Sequence, residues 1–140
     1  MDNIKNFFDI YKSSVYNKDS SAFLSLFDND IYVFDLWERW SYEGKENWQK
    51  MVTAWFKSLE NERVVVDFDN INITKTENMT VATAFATYTA VNLDGKELRS
   101  LQNRLTWVIQ KIENEWKIIH EHTSAPINPE NGQVIFKRDK

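Results

Sequence analysis

The sequence has no cysteine. Disulfides, thiol catalysis and metal sites built on thiolates are therefore excluded. No run approaches the ~18 apolar residues that span a bilayer, and the opening Met1-Asp2-Asn3-Ile4-Lys5-Asn6 has neither the basic start nor the apolar stretch of a signal peptide. A cytoplasmic protein without membrane contact is expected. Basic clusters are also missing, apart from the closing Lys137-Arg138-Asp139-Lys140, which reads as a frayed end. The net charge of -4 is spread along the chain. A surface that tracks phosphates needs a stripe of Lys and Arg, so nucleic acid is not an expected partner. Linkers, internal repeats and low-complexity runs are absent too, and residues 1–140 read as one domain. A domain of this length removes about 70% of its unfolded surface from water and needs no metal or disulfide to fold.

What the chain does have is aromatic side chains: nine Phe, six Trp and five Tyr. These fill cores, and they also line small-molecule pockets and interfaces. Residues 3–17 place Ile4, Phe7, Phe8, Ile10, Tyr11 and Val15 near helical spacing, with Asp2 or Asn3 as a cap. A short second helix is expected after an Asp19 cap, burying Phe23, Leu24, Leu26 and Phe27 and stopped by Asp28-Asn29-Asp30. β-Branched and aromatic residues predict a strand over 31–36. The stretch 35–43, D-L-W-E-R-W-S-Y-E, is irregular and unusually aromatic for a loop, and Gly44 ends it. Trp48, Met51, Val52, Trp55, Phe56 and Leu59 then recur at three and four, predicting a long helix over 45–59. After it the period changes to two. Strands are predicted over 63–74, 80–92, 97–111 and 115–125, with polar turns between them, of which Asp94-Gly95 is the strongest hairpin signal. Residues 128–132 form a turn before a short edge strand at 134–136. Helices followed by an antiparallel meander give an α+β domain with one sheet face covered.

Three stretches carry a family likeness. Tyr42-Glu43-Gly44-Lys45-Glu46-Asn47-Trp48 precedes the long helix, Arg104-Leu105-Thr106 follows later, and W-K-I-I-H-E-H-T-S-A-P occupies 116–126. Together they resemble the SnoaL-like, ketosteroid-isomerase-homologue branch of the nuclear-transport-factor-2-like superfamily, over nearly the whole chain. The ending is also similar to the association domain of calcium/calmodulin-dependent kinase, an assembly module. The resemblance implies a cone-shaped, cystatin-like fold: three N-terminal helices on a strongly curved antiparallel sheet of about four to six strands, a pocket between them, and a homodimer formed through the sheet. Members of the superfamily include isomerases, dehydratases, polyketide cyclases, hydrolases and proteins with no assigned reaction, so fold does not name chemistry. The ketosteroid isomerases rely on a tyrosine and two pocket carboxylic acids, and the scytalone-dehydratase-like members on a histidine pair with pocket tyrosines. Neither set can be placed on this sequence residue by residue.

Strand alternation divides the H-E-H stretch. Trp116, Ile118, His120, His122 and Ser124 fall on one face, and Lys117, Ile119, Glu121 and Thr123 on the other. A three-residue turn at 112–114 would set Arg104, Thr106 and Val108 beside the histidines and Trp107 beside Glu121. On the preceding strand Ala82, Ala84, Ala86 and Ala90, with Tyr88 among them, form a face of small residues. By likeness to the kinase association domain, the Ala and His face is assigned to the dimer interface or a structural network: Ala84, Ala86, Tyr88, Arg104, Thr106, His120, His122 and Ser124. The likeness then gives the pocket Phe85, Thr87, Trp107, Glu121 and Thr123, with Trp48 above and Asp35 or Tyr42 near the mouth. Trp37 and Trp40 join them as rings able to stack on a planar or alicyclic ligand.

Glu121, flanked by Trp107 and Ile119, is the candidate acid or base, with Asp35 beside it, because desolvation lifts a carboxyl toward neutral pH. A salt bridge to Lys117 or Arg99 is the plainer alternative. Two histidines at i and i+2 can chelate a metal, but no third ligand shares their face and Arg104 opposes a cation, so no metal and no cofactor is expected. Ser124 and His122 point in parallel and do not form a nucleophilic pair. The expected function is a small-molecule-binding domain with possible isomerase, dehydratase or cyclase-type proton chemistry on a small apolar or aromatic metabolite. The alternative is a non-catalytic assembly or ligand-sensing module.

Overall fold

Helix α1 (Ile4–Asn17) forms because Ile4, Phe7, Phe8, Tyr11 and Val15 recur at three and four residues, and that stripe is the one buried. In the computed structural model, which describes residues 4–139, it lies against strand β3 (Arg63–Lys75). The caps expected at Asp2 or Asn3 lie outside the described residues. Helix α2 (Ser20–Leu24) starts at Asp19, whose carboxylate accepts the Ala22 N–H at 3.1 Å. It is shorter than its apolar pattern predicts. Phe27 already opens strand β1 (Phe27–Phe34), and Asp28-Asn29-Asp30, expected to stop a helix, lies within it. The reason is its partner. β1 runs parallel to β6 (Glu115–Ser124), with Phe27 opposite Ile118 and Tyr32 opposite His120, so residues 28–31 bulge out of register. Asn29 and Asp30 reach solvent while Ile31 turns inward.

Strand β2 (Tyr42–Glu43) follows the irregular stretch, and Gly44, at φ +86°, supplies the backbone angle that turns the chain into helix α3 (Lys45–Ser58). β3, β4 (Met79–Val91), β5 (Glu97–Ile112) and β6 then form the meander. The six-stranded curved sheet has the order β2-β1-β6-β5-β4-β3, antiparallel except where β1 meets β6. Three helices and a six-stranded sheet make this a cystatin-like α+β fold. The core lies between α1, α2, α3 and the inner sheet face, with Phe23 and Phe27 among its fully buried residues. Each such side chain contributes about 1.5–3 kcal/mol through burial. Among the described residues, no helix is long and apolar enough to cross a membrane.

The register corrects one face. Ala82 is opposite Trp107, Ala84 opposite Leu105, Ala86 opposite Asn103 and Tyr88 opposite Leu101, so Ala84, Ala86 and Tyr88 belong to the inner face and not to an outer interface. Phe85, opposite Arg104, and Thr87, opposite Gln102, are on the outer face and not in the pocket. The alanines are small because rings pack above them: Phe8 lies 4.8 Å from both Phe68 and Trp107, and Tyr11 lies 5.8 Å from Trp107.

β6 reaches the expected partnership by another route. The β5–β6 turn has two residues, Glu113 and Asn114, both at positive φ, with Ile112 opposite Glu115. That register alone would turn the histidines inward. Between Val108 and Ile109 it shifts: Ile109 pairs with Ile118 but Val108 with His120, leaving Ile119 as an extra residue. Ile118 is therefore inside, against the simple alternation, whereas Glu121 and Thr123 point inward and His120, His122 and Ser124 outward. Deleting Ile119 would remove the bulge and leave the faces as they are, because the Ile109–Ile118 pair would run straight on into Val108–His120 and Trp107–Glu121. We expect the deletion variant to keep a single cooperative thermal unfolding transition followed by circular dichroism; loss of that transition would show that the bulge does more than set the faces.

Candidate functional site

A cavity of about 720 Å³ opens between the inner sheet face and α3. One wall is aromatic: Trp48 and Trp55 from α3, Tyr42 from β2 and Phe23 from α2. Trp48 packs at 5.4 Å from Tyr42 and 6.0 Å from Phe27. The other wall carries polar groups from four elements, Tyr11, Tyr88, Asn103, Glu121 and Thr123, with Asp35 just beyond β1. Trp37, Glu38, Arg39, Lys50, Ala54 and Arg99 also line the cavity.

Of the expected pocket residues, Glu121, Asp35, Trp37, Tyr42, Trp48 and Thr123 line the cavity. Trp107 does not line it but lies beneath it, fully buried, and its indole N–H donates to Glu121 Oε1 at 2.9 Å. Trp40, 95% exposed, projects into solvent from the irregular stretch and takes no part. On the outer face, Arg104 Nε donates to Ser124 Oγ at 3.0 Å, Thr106 sits opposite His122, and His120 Nδ1 donates to the Tyr32 carbonyl at 2.6 Å. Among the described residues no group of three or more His, Cys, Asp or Glu could hold a metal.

Burial decides the electrostatics. Glu121 is 2% exposed, and desolvation, with the nearby charge of Asp35, raises its pKa from 4.5 to about 8 against the lowering effect of the Trp107 hydrogen bond. Near neutral pH it is mostly a neutral acid. Asp35 is also raised by desolvation, held in check by bonds from the Trp37 backbone, the Thr123 hydroxyl and Leu36. Thr123 Oγ1 donates to Asp35 Oδ1 at 3.2 Å and accepts the Leu36 N–H at 2.9 Å, while the Trp37 N–H donates to Asp35 Oδ2 at 3.3 Å. Asp35 is thus the carboxyl better kept as an anion. The Tyr11 and Tyr88 hydroxyls meet at 2.7 Å, and burial raises both pKa values, so both stay protonated donors. Two buried polar atoms in the lining residues, Trp48 Nε1 and Asn103 Oδ1, have no partner among the described residues.

The two tyrosines and Asn103 were not assigned to the pocket from sequence. For Tyr88 and Asn103 a signal was present in the Asp94-Gly95 hairpin: a two-residue turn there would set Ala86 opposite Asn103 and bring Tyr88 to the face of Trp107, and the protein reaches the same pairing with Val91 opposite Glu97 and a register shift between Ala90 and Val91.

Linkage gives the burial of Glu121 a measurable sign. Below pH 4.5 the carboxyl is protonated in folded and unfolded chains alike. Between 4.5 and about 8 only the folded chain holds the proton, so stability falls as pH rises, by about 1.4 kcal/mol for each pH unit. Above the folded value the loss is complete. We expect urea unfolding to show this decline in the wild type and a much flatter profile in Glu121→Gln.

The fold has counterparts among solved structures. A protein of unknown function from Pseudomonas putida, described as similar to nuclear transport factor 2, superposes with a TM-score of 0.86 at 18% identity, over 98% of this chain and 94% of that one. An uncharacterised cystatin-like protein from Caulobacter vibrioides gives 0.72 at 20% identity, over 92% and 90%. A Xanthomonas campestris protein, provisionally assigned as a calcium/calmodulin-dependent protein kinase II association domain, gives 0.74 at 18% identity, over 91% and 86%. These likenesses concern the fold. No curated protein matches the sequence. A family model for the SnoaL-like domain matches residues 4–128. On that match, the chain belongs to the SnoaL-like family.

Proposed function

We propose that the cavity binds a small apolar carbonyl compound and catalyses proton transfer on it. The observation that carries this reading is the gathering of two unlike carboxyls and a tyrosine pair on one wall of an aromatic cavity. Asp35, held by three hydrogen-bond donors in its neighbourhood, acts as the base that takes a proton from the carbon next to the carbonyl. Glu121, neutral near pH 7, and the Tyr88 hydroxyl donate to the carbonyl oxygen as it gains negative charge. The proton then returns to the same or another carbon, which is exchange or isomerisation. Two carboxyls with different proton affinities in one site are the usual division of acid and base roles. The ketosteroid isomerases, which the sequence resembles at family level, use a tyrosine and two pocket acids, and this cavity holds groups of the same kinds. The aromatic wall suits the apolar body of the ligand.

The test is solvent-deuterium incorporation into cyclohexanone and larger bicyclic ketones, followed by NMR. We expect exchange with the wild type and a loss of about a hundredfold or more in Asp35→Asn. Absence of exchange above buffer across the panel would overturn the catalytic reading, and tight binding without exchange would favour the non-catalytic one.

We further propose a cytoplasmic homodimer that pairs through the outer sheet face. This face carries Tyr32, Phe34, His120 and His122 as a cluster, with Phe34 lying 5.0 Å from His120 and 5.4 Å from His122. Tyr32 is 42% exposed in the single chain, an apolar ring left open to a partner. Sedimentation at micromolar concentration is expected to show a dimer, converted to monomer by Phe34→Glu; a monomeric wild type would remove the proposal.

A further inference from the structure

The closing basic run was expected to fray, yet its described part is docked. After Ser124 the chain turns back on itself: Ile127 bridges Val134, and the Ile135 N–H donates to the Pro126 carbonyl at 2.8 Å. The segment then lies along the part of β5 that β6 leaves unpaired, where the Gln102 N–H donates to the Phe136 carbonyl at 2.7 Å. Arg138 fixes its end. The Arg138 N–H donates to Gln102 Oε1 at 2.7 Å, its guanidinium pairs with Asp69 at 2.9 Å, and it lies 4.4 Å above the Phe85 ring. Exposed ion pairs alone contribute little, so the backbone bond and the cation–π contact matter as much as the charge. The returning half of this hairpin, with Phe136 and Arg138, lies past residue 128, where the stretch shared with the family ends.

What the hairpin holds up is Trp37. The Phe136 ring stacks on the Trp37 indole at 5.4 Å and 19°. Among the described residues it is the one aromatic ring seen against Trp37, which is 50% exposed and follows β1 in a stretch without helix or strand. Trp37 lines the cavity, and its backbone N–H reaches Asp35 Oδ2.

We propose that Phe136 is a positioning residue for the ligand site: stacked on Trp37, it fixes one side of the cavity mouth and, through the Trp37 backbone, the Asp35 carboxylate. The C-terminal hairpin is thereby part of the binding machinery and sets which ligands the mouth admits. The inference rests on the cavity being a ligand site, as argued under Proposed function. Its structural half, that Phe136 immobilises Trp37, stands without any ligand.

Two readouts on the full chain test it. Acrylamide quenching of Trp37, taken as the difference between each protein and its Trp37→Phe counterpart, reports the brace. Affinity for anilinonaphthalene sulfonate, a planar apolar probe, reports the site, with Ala54→Trp as the variant that blocks the cavity. Phe136→Ala is expected to increase Trp37 quenching and to weaken probe binding by up to about tenfold, the scale of one aromatic pair. Phe136→Tyr, which keeps the stack, is expected to restore both, and Phe136→Leu, which keeps bulk alone, neither. Unchanged quenching in Phe136→Ala overturns the brace and leaves the ligand site standing. Increased quenching with unchanged affinity overturns the role in binding. A wild type that binds no probe, or binds it equally well in Ala54→Trp, removes the ligand-site reading and with it the functional half of the proposal.

Discussion

A single extra residue on β6 governs what the cavity contains. Side chains on a strand alternate, so the tight turn at Glu113-Asn114 fixes the faces of everything after it until something interrupts the count. Ile119 is that interruption. Before it, Ile118 packs inward to close the core; after it, Glu121 and Thr123 do, and the two histidines are carried outside. Were Ile119 to take a regular place in the ladder, the face that carries Ile118 would go on to carry His120 and His122 instead of Glu121 and Thr123.

The consequence is an acid buried where water cannot reach it easily. A carboxyl this deep has one indole donor and aromatic neighbours, too little to hold a full charge, so it keeps its proton toward neutral pH. Asp35 lies nearer solvent and is better supplied with donors. Unlike environments thus separate two carboxyl groups that share one cavity. The tyrosine pair adds donors without adding charge, because the same burial holds both hydroxyls in their protonated form. Polar groups of this kind lower the stability that an apolar core would have, and their concentration in one place is what makes the cavity the candidate site.

Much of this was legible in the chain. Periodicities of three to four and of two located α1, α3 and the meander, and the resemblance gave the fold. The strands could be found from Val, Thr and aromatic content, but β1 could not be bounded: Asp28-Asn29-Asp30 has the chemistry of a helix stop, and only the parallel contact with β6 shows that it bulges within a strand. A three-residue turn puts Glu121 and Trp107 on one face; the protein uses two residues and a bulge, and parity is the same after either. For β4 the hairpin signal pointed the right way. The likeness to another domain placed Thr87 on the face of Trp107, whereas the strand places Tyr88 there. Trp40 and Trp37 looked alike in the sequence, and only the distant Phe136 separates a solvent ring from a packed one.

The parallel contact between β1 and β6 has a temporal side. Asp35 and Thr123 bond across 88 positions of sequence, and Asp35 meets Glu121 only after β6 has taken its place beside β1. Contacts so far apart form late, since the loop between them must close first. On the ribosome the helices and the β3–β4 hairpin emerge well before the strand that completes the cavity wall. A nascent chain therefore exposes its aromatic half-pocket to solvent until β6 has been made, and this is the interval in which that half-pocket is most open to aggregation.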